Sequence, residues 1–272
     1  MKDRISITVE DGIADVRLVR SDKMNALDHK MFDAIEEAGK QLPGDPSIRV
    51  VVLSGEGRAF CAGLDMGNFA AMADSSDTGR DDDEHVASNK LETRTHGIAN
   101  KPQHAAWMWR ELPVPVIAAV HGVALGGGFQ MALGADIRYA APGTRMSIME
   151  IKWGLVPDMA GTQIMRHLAR DDVIRELTYT GRIFEAEEAQ TLGFVTRVCD
   201  DPLAAAMETA QQIAGRNPDA IRADKKLLDE ANYLSREEGL ILESQLQDGI
   251  IGKPNQIEAV MAEMEGRPAK YA

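Results

Sequence analysis

Three consecutive glycines, Gly126–Gly128, close the stretch His121–Gly128, HGVALGGG, between an apolar β-branched run, Val114–Val120, and a helix-forming segment, Phe129–Leu133. Glycine loses more backbone freedom on folding than any other residue, so three in a row weaken the chain where they stand. They also dictate local architecture: a strand, a tight turn and a helix N-terminus must follow one another within a few residues. The first N–H groups of a helix have no internal partner, and glycines let another molecule approach them. The stretch therefore reads as a site for an oxygen carrying negative charge. The plainer reading, tight strand–helix packing, is the usual one for a lone glycine turn.

The flanking chain alternates strand and helix signals. Ile5–Val9 and Ile13–Leu18 alternate around Asp11-Gly12, which predicts a hairpin. Asp28–Gln41 carries Met31, Phe32, Ile35 and then Leu42 at helical spacing, and Ile48–Leu53 is a continuous apolar strand of the kind buried on both faces. Ala59–Met66, AFCAGLDM, repeats the logic of the glycine stretch as a buried strand running into a small-residue turn. His104–Leu112 reads as a helix, after which Pro113 and Pro115 set an extended approach to Val116–Val120. Strands follow at Ala135–Ala140, Arg145–Met149 and Val195–Val198, and helices at Gly161–Arg170, Asp171–Thr180 and Ala186–Gly193. This alternation predicts an α/β core. From Pro202 the strand signal ends, and Leu203–Arg216, Pro218–Leu234, Ser235–Ile251 and Lys253–Met264 read as helices. Ser235 and Glu238 form a capping-box pattern. The composition shift near Asp200 predicts the one internal boundary, between a core over 1–200 and a helical region over 201–272. The polar segment Met72–Asn100 reads as a solvated loop, with a flap over the ligand as the sharper alternative.

The net charge of −13 among 272 residues disfavours nonspecific binding to nucleic acid or anionic membranes. Cys61 and Cys199 show neither metal spacing nor a disulfide framework, as expected of a reducing compartment. The N-terminus, MKDRISITVEDG, lacks an apolar signal core and no run is long and uncharged enough to span a bilayer, so the expected location is cytoplasmic.

The glycines at 122, 126, 127 and 128 do not fit the dinucleotide fingerprint or a phosphate-binding P-loop, and G-x-S-x-G is absent. Two glycine-containing turns after buried strands could instead converge two N–H donors on one oxygen, stabilising an enolate or a tetrahedral adduct. Acid–base work then falls to carboxylates or histidines. Glu150, in MSIMEIKWG, has apolar neighbours that would raise its pKa. Asp158, in GLVPDMAGTQ, lies in a Pro/Gly turn before a helix. Isolated carboxylates of this sort more often cap helices or face solvent. His121 reads as a packing or hydrogen-bonding residue.

AFCAGLDM, PVPVIAAVHGVALGGGFQMALGADIRYA, EIKWGLVPDMAGTQ and YTGRIFEAEEAQTLGFVTRV, in that order, resemble the crotonase superfamily of enoyl-CoA hydratases and isomerases. The likeness runs from the opening strands and Asn25-Ala26-Leu27 to Ser235–Gly239. It implies an α/β fold, a crotonase-like spiral of ββα units with a C-terminal helical region serving trimerisation, assembled as a homotrimer or a dimer of trimers. It implies an acyl-CoA thioester whose oxygen accepts N–H bonds from Leu64 and Gly127. Ala62, Gly63, Asp65, Met66 and Gly126 would line the same turns, and Lys23 and Met24 would meet the CoA moiety. Coenzyme A enters as part of the substrate, with no separate cofactor and no metal.

Hydratases of the superfamily carry glutamates at the positions of Gln130 and Glu150. Here Gln130 is an amide, which can orient a water or a thioester but cannot exchange a proton near neutral pH. Asp158 falls where isomerases place a catalytic carboxylate, and E-x-x-x-G-L-x-x-D resembles dienoyl-CoA isomerases. Those enzymes carry an aspartate at the position of Gln130, so this chain departs from both patterns. The expectation is double-bond migration in an enoyl- or dienoyl-CoA, with Asp158 as base and Glu150 as its partner. The alternatives are hydration of a 2-enoyl-CoA through Glu150, and a CoA-binding protein without catalysis.

Overall fold

The computed structural model describes residues 3–67 and 91–272. Strands β1 (Ile5–Glu10) and β2 (Ile13–Leu18) form the expected hairpin, with Asp11 and Gly12 both at positive φ, 50° and 80°. That pairing matches the right-handed twist of the strands it joins. A 3₁₀ turn at Ser21–Lys23 leads to α1 (His29–Gln41), which begins where the Asp28 carboxylate accepts the Met31 N–H at 2.8 Å. Next come β3 (Val50–Gly55), α2 (Lys101–Glu111), β4 (Val116–Val120), β5 (Val123–Leu125) and α3 (Gly127–Gly134). They are followed by β6 (Ile137–Ala140), β7 (Arg145–Ser147), a 3₁₀ turn at Glu150–Trp153, α4 (Gly161–Met165), α5 (Asp171–Thr180), β8 (Phe184–Glu185), α6 (Ala186–Leu192) and β9 (Arg197–Val198). Four helices complete the chain: α7 (Pro202–Ala214), α8 (Pro218–Glu230), α9 (Arg236–Ile250) and α10 (Pro254–Glu265).

The strands divide between a six-stranded sheet in the order β1-β2-β3-β4-β6-β9 and a three-stranded sheet in the order β5-β7-β8. Each coil of the chain gives one segment to each sheet: β4 then β5, and β6 then β7. The two earlier coils complete the pattern with single bridges, Leu27 to Leu64 and Cys61 to Ala124. The result is a spiral of strand–strand–helix units whose coils stack in register. All pairings in the large sheet are parallel except β1 with β2.

Alternation along β3 and β4 explains their continuous apolar runs. Val51, Leu53, Val116, Ala118 and Val120 enter the main core beneath α1, α2 and α3. Their neighbours Val50, Val52, Ile117 and Ala119 enter a second cluster that Ala206, Ala210 and Ala214 of α7 close. Both faces are dry, and through Val50–Leu53 and Val116–Val120 neither carries a polar residue. Beyond α7 the helices leave large side chains in solvent, Leu240, Ile241 and Met264 among them. Among the described residues no helix is long and apolar enough to cross a membrane.

Several boundaries differ from those read in the sequence. Helix α2 starts at Lys101 rather than His104, because Asn100 and Gln103 form a capping box and Pro102 occupies the first turn. The buried strand expected to lead into the turn of Ala59–Met66 reduces to single bridges at Cys61 and Leu64, on either side of the turn at Gly63, φ +87°. Helix α4 stops at Met165 instead of running to Arg170. The predicted loop and flap over Met72–Asn100 lie outside the described residues as far as residue 90. Leu91–Asn100 is tied down by Arg94, which donates to the carbonyls of Leu91, Glu92 and Ile98.

Candidate active site

The coil-by-coil register brings the two glycine turns together. Cys61 and Ala124 are bridged, and Leu64 and Gly127 each follow three residues later. A Cβ placed on Gly63 would lie 3.7 Å from the Gly127 nitrogen. Among the described residues neither the Leu64 N–H nor the Gly127 N–H has an acceptor. Gly127 is the first residue of α3, a helix buried along its whole length, so its free donor stands at the positive end of the dipole. Phe129 anchors that helix by packing edge-on against Phe184 and Phe194, with ring centroids 5.6 and 5.5 Å away. Such pairs are worth about 0.5–1.5 kcal/mol each beyond their burial.

Each glycine of the run has its own reason. Gly126 adopts φ 51°, ψ −120°, a backbone region open to glycine. A Cβ on Gly127 would sit 2.5 Å from the Met159 sulfur, and one on Gly128 would sit 2.8 Å from the Cys61 Cβ and overlap its carbonyl. The run is thus a packing device that also leaves the Gly127 N–H without an acceptor among the described residues.

On the Leu64 side, Asn25 is fully buried at φ 55°, and its side-chain nitrogen reaches the carbonyls of Glu56, Ala59 and Phe60 at 3.0, 2.9 and 3.1 Å. Those bonds hold the approach to the turn. The Ala62 N–H bonds to the Met24 carbonyl at 2.9 Å, which places Met24 beside the turn, while Lys23 and Met66 are exposed on its rim. Asp65 accepts the Gly67 N–H at 2.8 Å and pairs with Arg20 at 2.6 Å. The Gly67 N–H and then the Arg20 guanidinium hold its carboxyl below the usual carboxylate range. Arg20 also donates to the Ala26 carbonyl at 3.0 Å, so it braces both sides of the turn. Nothing local in the sequence points to Arg20, whose partner is 45 residues away. Burial pushes the neighbouring Cys61 thiol up to about 12, so it is inert as a nucleophile. Asn25→Ala is expected to cost about 2–3 kcal/mol, since it leaves buried carbonyls without a donor and puts alanine at positive φ. The urea midpoint reads this loss, and a cost below about 0.5 kcal/mol would mean the carbonyls are met in another way.

Of the three polar side chains, Gln130 and Glu150 are directly bonded, and the charge of Asp158 acts on Glu150. Gln130, fully buried on α3, donates to Glu150 Oε1 at 2.6 Å and accepts the N–H groups of Met159 and Gly161 at 3.0 and 2.9 Å. Its amide oxygen is therefore already engaged, not free to hold a water or a thioester. Glu150 lies against Gly126, where a Cβ would stand 3.3 Å from its Oε1, and its Oε2 is buried without a hydrogen-bond partner. Burial raises the Glu150 pKa and the Asp158 charge raises it further, while its own backbone N–H, the Gln130 amide N–H and the Met149 N–H oppose both. Asp158, in the turn before α4, is also raised by desolvation, opposed by its own backbone N–H, and part of the residue remains in contact with solvent. His121 bonds through Nε2 to the Gly57 carbonyl at 3.0 Å, a structural contact.

Residues 8–272 match the family described as enoyl-CoA hydratase/isomerase. The chain belongs to that family. It is 28% identical to mitochondrial methylglutaconyl-CoA hydratase of Mus musculus over 96% of this chain and 79% of the relative. It is 29% identical to a peroxisomal Delta(3,5)-Delta(2,4)-dienoyl-CoA isomerase of Arabidopsis thaliana, over 93% and 90% of the two chains. The crystal structure of an enoyl-CoA hydratase from Bacillus anthracis superimposes with a TM-score of 0.85 at 29% identity, covering 98% of each chain. The crotonase fold expected from the motifs is thus the fold found, and the chain is an enzyme of the enoyl-CoA hydratase/isomerase kind. Its relatives carry out both reactions at similar identity, so only the site's own residues can separate them.

Proposed function

We propose that this hydratase/isomerase family member shifts a double bond along the acyl chain of an enoyl- or dienoyl-CoA. The carrying observation is the paired carboxylates: Glu150, with one unpartnered oxygen, and Asp158, close enough for its charge to act on it. In the proposed cycle the ionised Asp158 takes a proton from the carbon next to the thioester. The resulting dienolate rests its oxygen between the Leu64 and Gly127 N–H groups, a term often worth about 3–4 kcal/mol per donor. Protonated Glu150 returns a proton at the far end of the conjugated system. Each turnover moves one proton from Glu150 to Asp158, and exchange with solvent through the exposed Asp158 restores both. Gln130 is taken up by structural bonds, which supports a scheme that does not ask it to activate water.

Ala62, Gly63, Asp65, Met66 and Gly126 would line the thioester site, with Lys23 and Met24 at the CoA end. Residues 201–272 would serve assembly into trimers or dimers of trimers, supported by the exposed Leu240, Ile241 and Met264. The free thiols Cys61 and Cys199 fit a reducing cytoplasm. Hydration by Glu150 alone is the second reading, favoured by the relationship to hydratases. Purified enzyme given 3-enoyl-, dienoyl- and 2-enoyl-CoA separates the two by the absorbance of the conjugated product and by hydroxyacyl-CoA formation. Migration should dominate and fall about 10²-fold in Asp158→Asn. Rapid hydration of the 2-enoyl substrate, indifferent to Asp158→Asn, would overturn the proposal.

A further inference from the structure

Gln130 links the Glu150 carboxylate to the backbone that follows Asp158, and its orientation is fixed by chemistry. Two N–H donors, from Met159 and Gly161, converge on one end of the amide, so that end is the oxygen and the NH₂ faces Glu150 Oε1. Gly161 permits this approach, because a Cβ there would lie 2.6 Å from the amide oxygen. An amide nitrogen donates and does not accept. Glu150 Oε1 is therefore always the acceptor in this pair, and any proton Glu150 holds resides on Oε2, the oxygen without a partner. The other end of Gln130 accepts the N–H groups on both sides of Ala160, which lies two residues beyond Asp158.

We infer that Gln130 is a positioning residue, reserving Oε2 of Glu150 for proton exchange and pinning the turn that carries Asp158 against the same carboxylate. This rests on the two-carboxylate reading above and goes beyond it by giving the amide a defined task. An amide suits that task better than a second acid. A carboxylate at position 130 could accept the same two N–H bonds, but it would then meet Glu150 acid to acid and have to share its proton. Asp158 is the charged group acting on Glu150. Helix α5 packs beside the 150–153 turn; on it Arg175 is paired with Asp171, and just beyond it Arg182 is paired with Glu176 of α5 and Glu188 of α6. Lys152 lies over the Trp153 ring at 5.3 Å.

Carbon-13 NMR titration of the side-chain carboxyls tests this without relying on turnover, with the Glu150 signal assigned by its absence in Glu150→Gln. In Gln130→Met the donor to Oε1 is lost, so Glu150 should titrate at higher pH than in the native enzyme. Its kcat should fall about a hundredfold with KM held within about threefold, since misplacement acts on the reacting geometry and not on CoA binding. The nearly isosteric Gln130→Glu retains acceptors for Met159 and Gly161. It should stay folded by thermal unfolding and again move Glu150 upward through the shared proton. An unchanged Glu150 titration in both variants overturns the positioning role, whatever the activity. A moved titration together with full kcat in Glu150→Gln would overturn the carboxylate reading and leave the Gln130–Glu150 coupling intact.

Discussion

Glu150→Gln should lower kcat for double-bond migration by about 10³-fold, within the 10²–10⁴ range of a positioned proton-transfer group. Shape and the bond from Gln130 survive the change, because the new amide oxygen can accept at the same place. What is lost is the proton on Oε2. KM should therefore stay near the native value, the signature of an interaction made in the transition state alone. The native pH profile should be bell-shaped, requiring Asp158 ionised and Glu150 protonated. Glu150, raised by burial and by the Asp158 charge, sets the alkaline limb. Stability responds to the same residue. A carboxyl whose folded pKa lies above its unfolded one favours the fold below the unfolded value, and this contribution fades as pH rises through the folded value. The native enzyme should thus lose stability relative to Glu150→Gln as pH rises through that range, which urea unfolding at several pH values would show. A variant retaining more than about a tenth of native kcat would remove Glu150 from the chemistry.

The sequence made the large sheet legible because its strands are buried on both faces. Val50–Leu53 and Val116–Val120 have no polar position to blur the run, and the Asp11-Gly12 turn has a conformation that names itself. The small sheet was legible only in part: Arg145–Met149 reads as a strand and covers β7, but β5 and β8, three and two residues long, are too short for any period to show. For the same reason AFCAGLDM read as a strand running into a turn, when the strand part reduces to single bridges at Cys61 and Leu64 about that turn. At the site, the acid and amide identities of Gln130, Glu150 and Asp158 could be read directly, but their connections could not. The Gln130 bonds to Met159 and Gly161 span 29 and 31 residues, and Arg20 reaches Asp65 across 45. Such contacts depend on how coils stack, which no local pattern encodes. The capping box at Asn100 was a missed local signal: N-x-x-Q with Pro102 in the first turn marks a helix start as clearly as the Ser235 box does.

Gly128→Ala should damage both folding and catalysis, although alanine is by itself the better helix former by up to about 1 kcal/mol. The opposing effect is the added methyl, which would stand 2.8 Å from the Cys61 Cβ and overlap the Cys61 carbonyl. That carbonyl cannot simply move aside, because it accepts the Leu125 N–H at 3.1 Å while the Cys61 N–H bonds to the Val123 carbonyl at 3.1 Å. Relief must come from separating two coils of the spiral, a strain of about 1–3 kcal/mol that outweighs the propensity gain. The same separation pulls Gly127 away from Leu64. Donors fixed in position are what stabilise a developing oxyanion, and a shift of about 1 Å costs on the order of 10²-fold in rate. Gly239→Ala supplies the contrast: it sits in α9 with open space where its Cβ would go, so it should stabilise the chain by about 0.5–1 kcal/mol. Thermal unfolding and kcat measured on both variants decide the matter. If Gly128→Ala gained stability and kept its rate as Gly239→Ala should, the two turns would not need their close approach, and the paired N–H site would lose its structural basis.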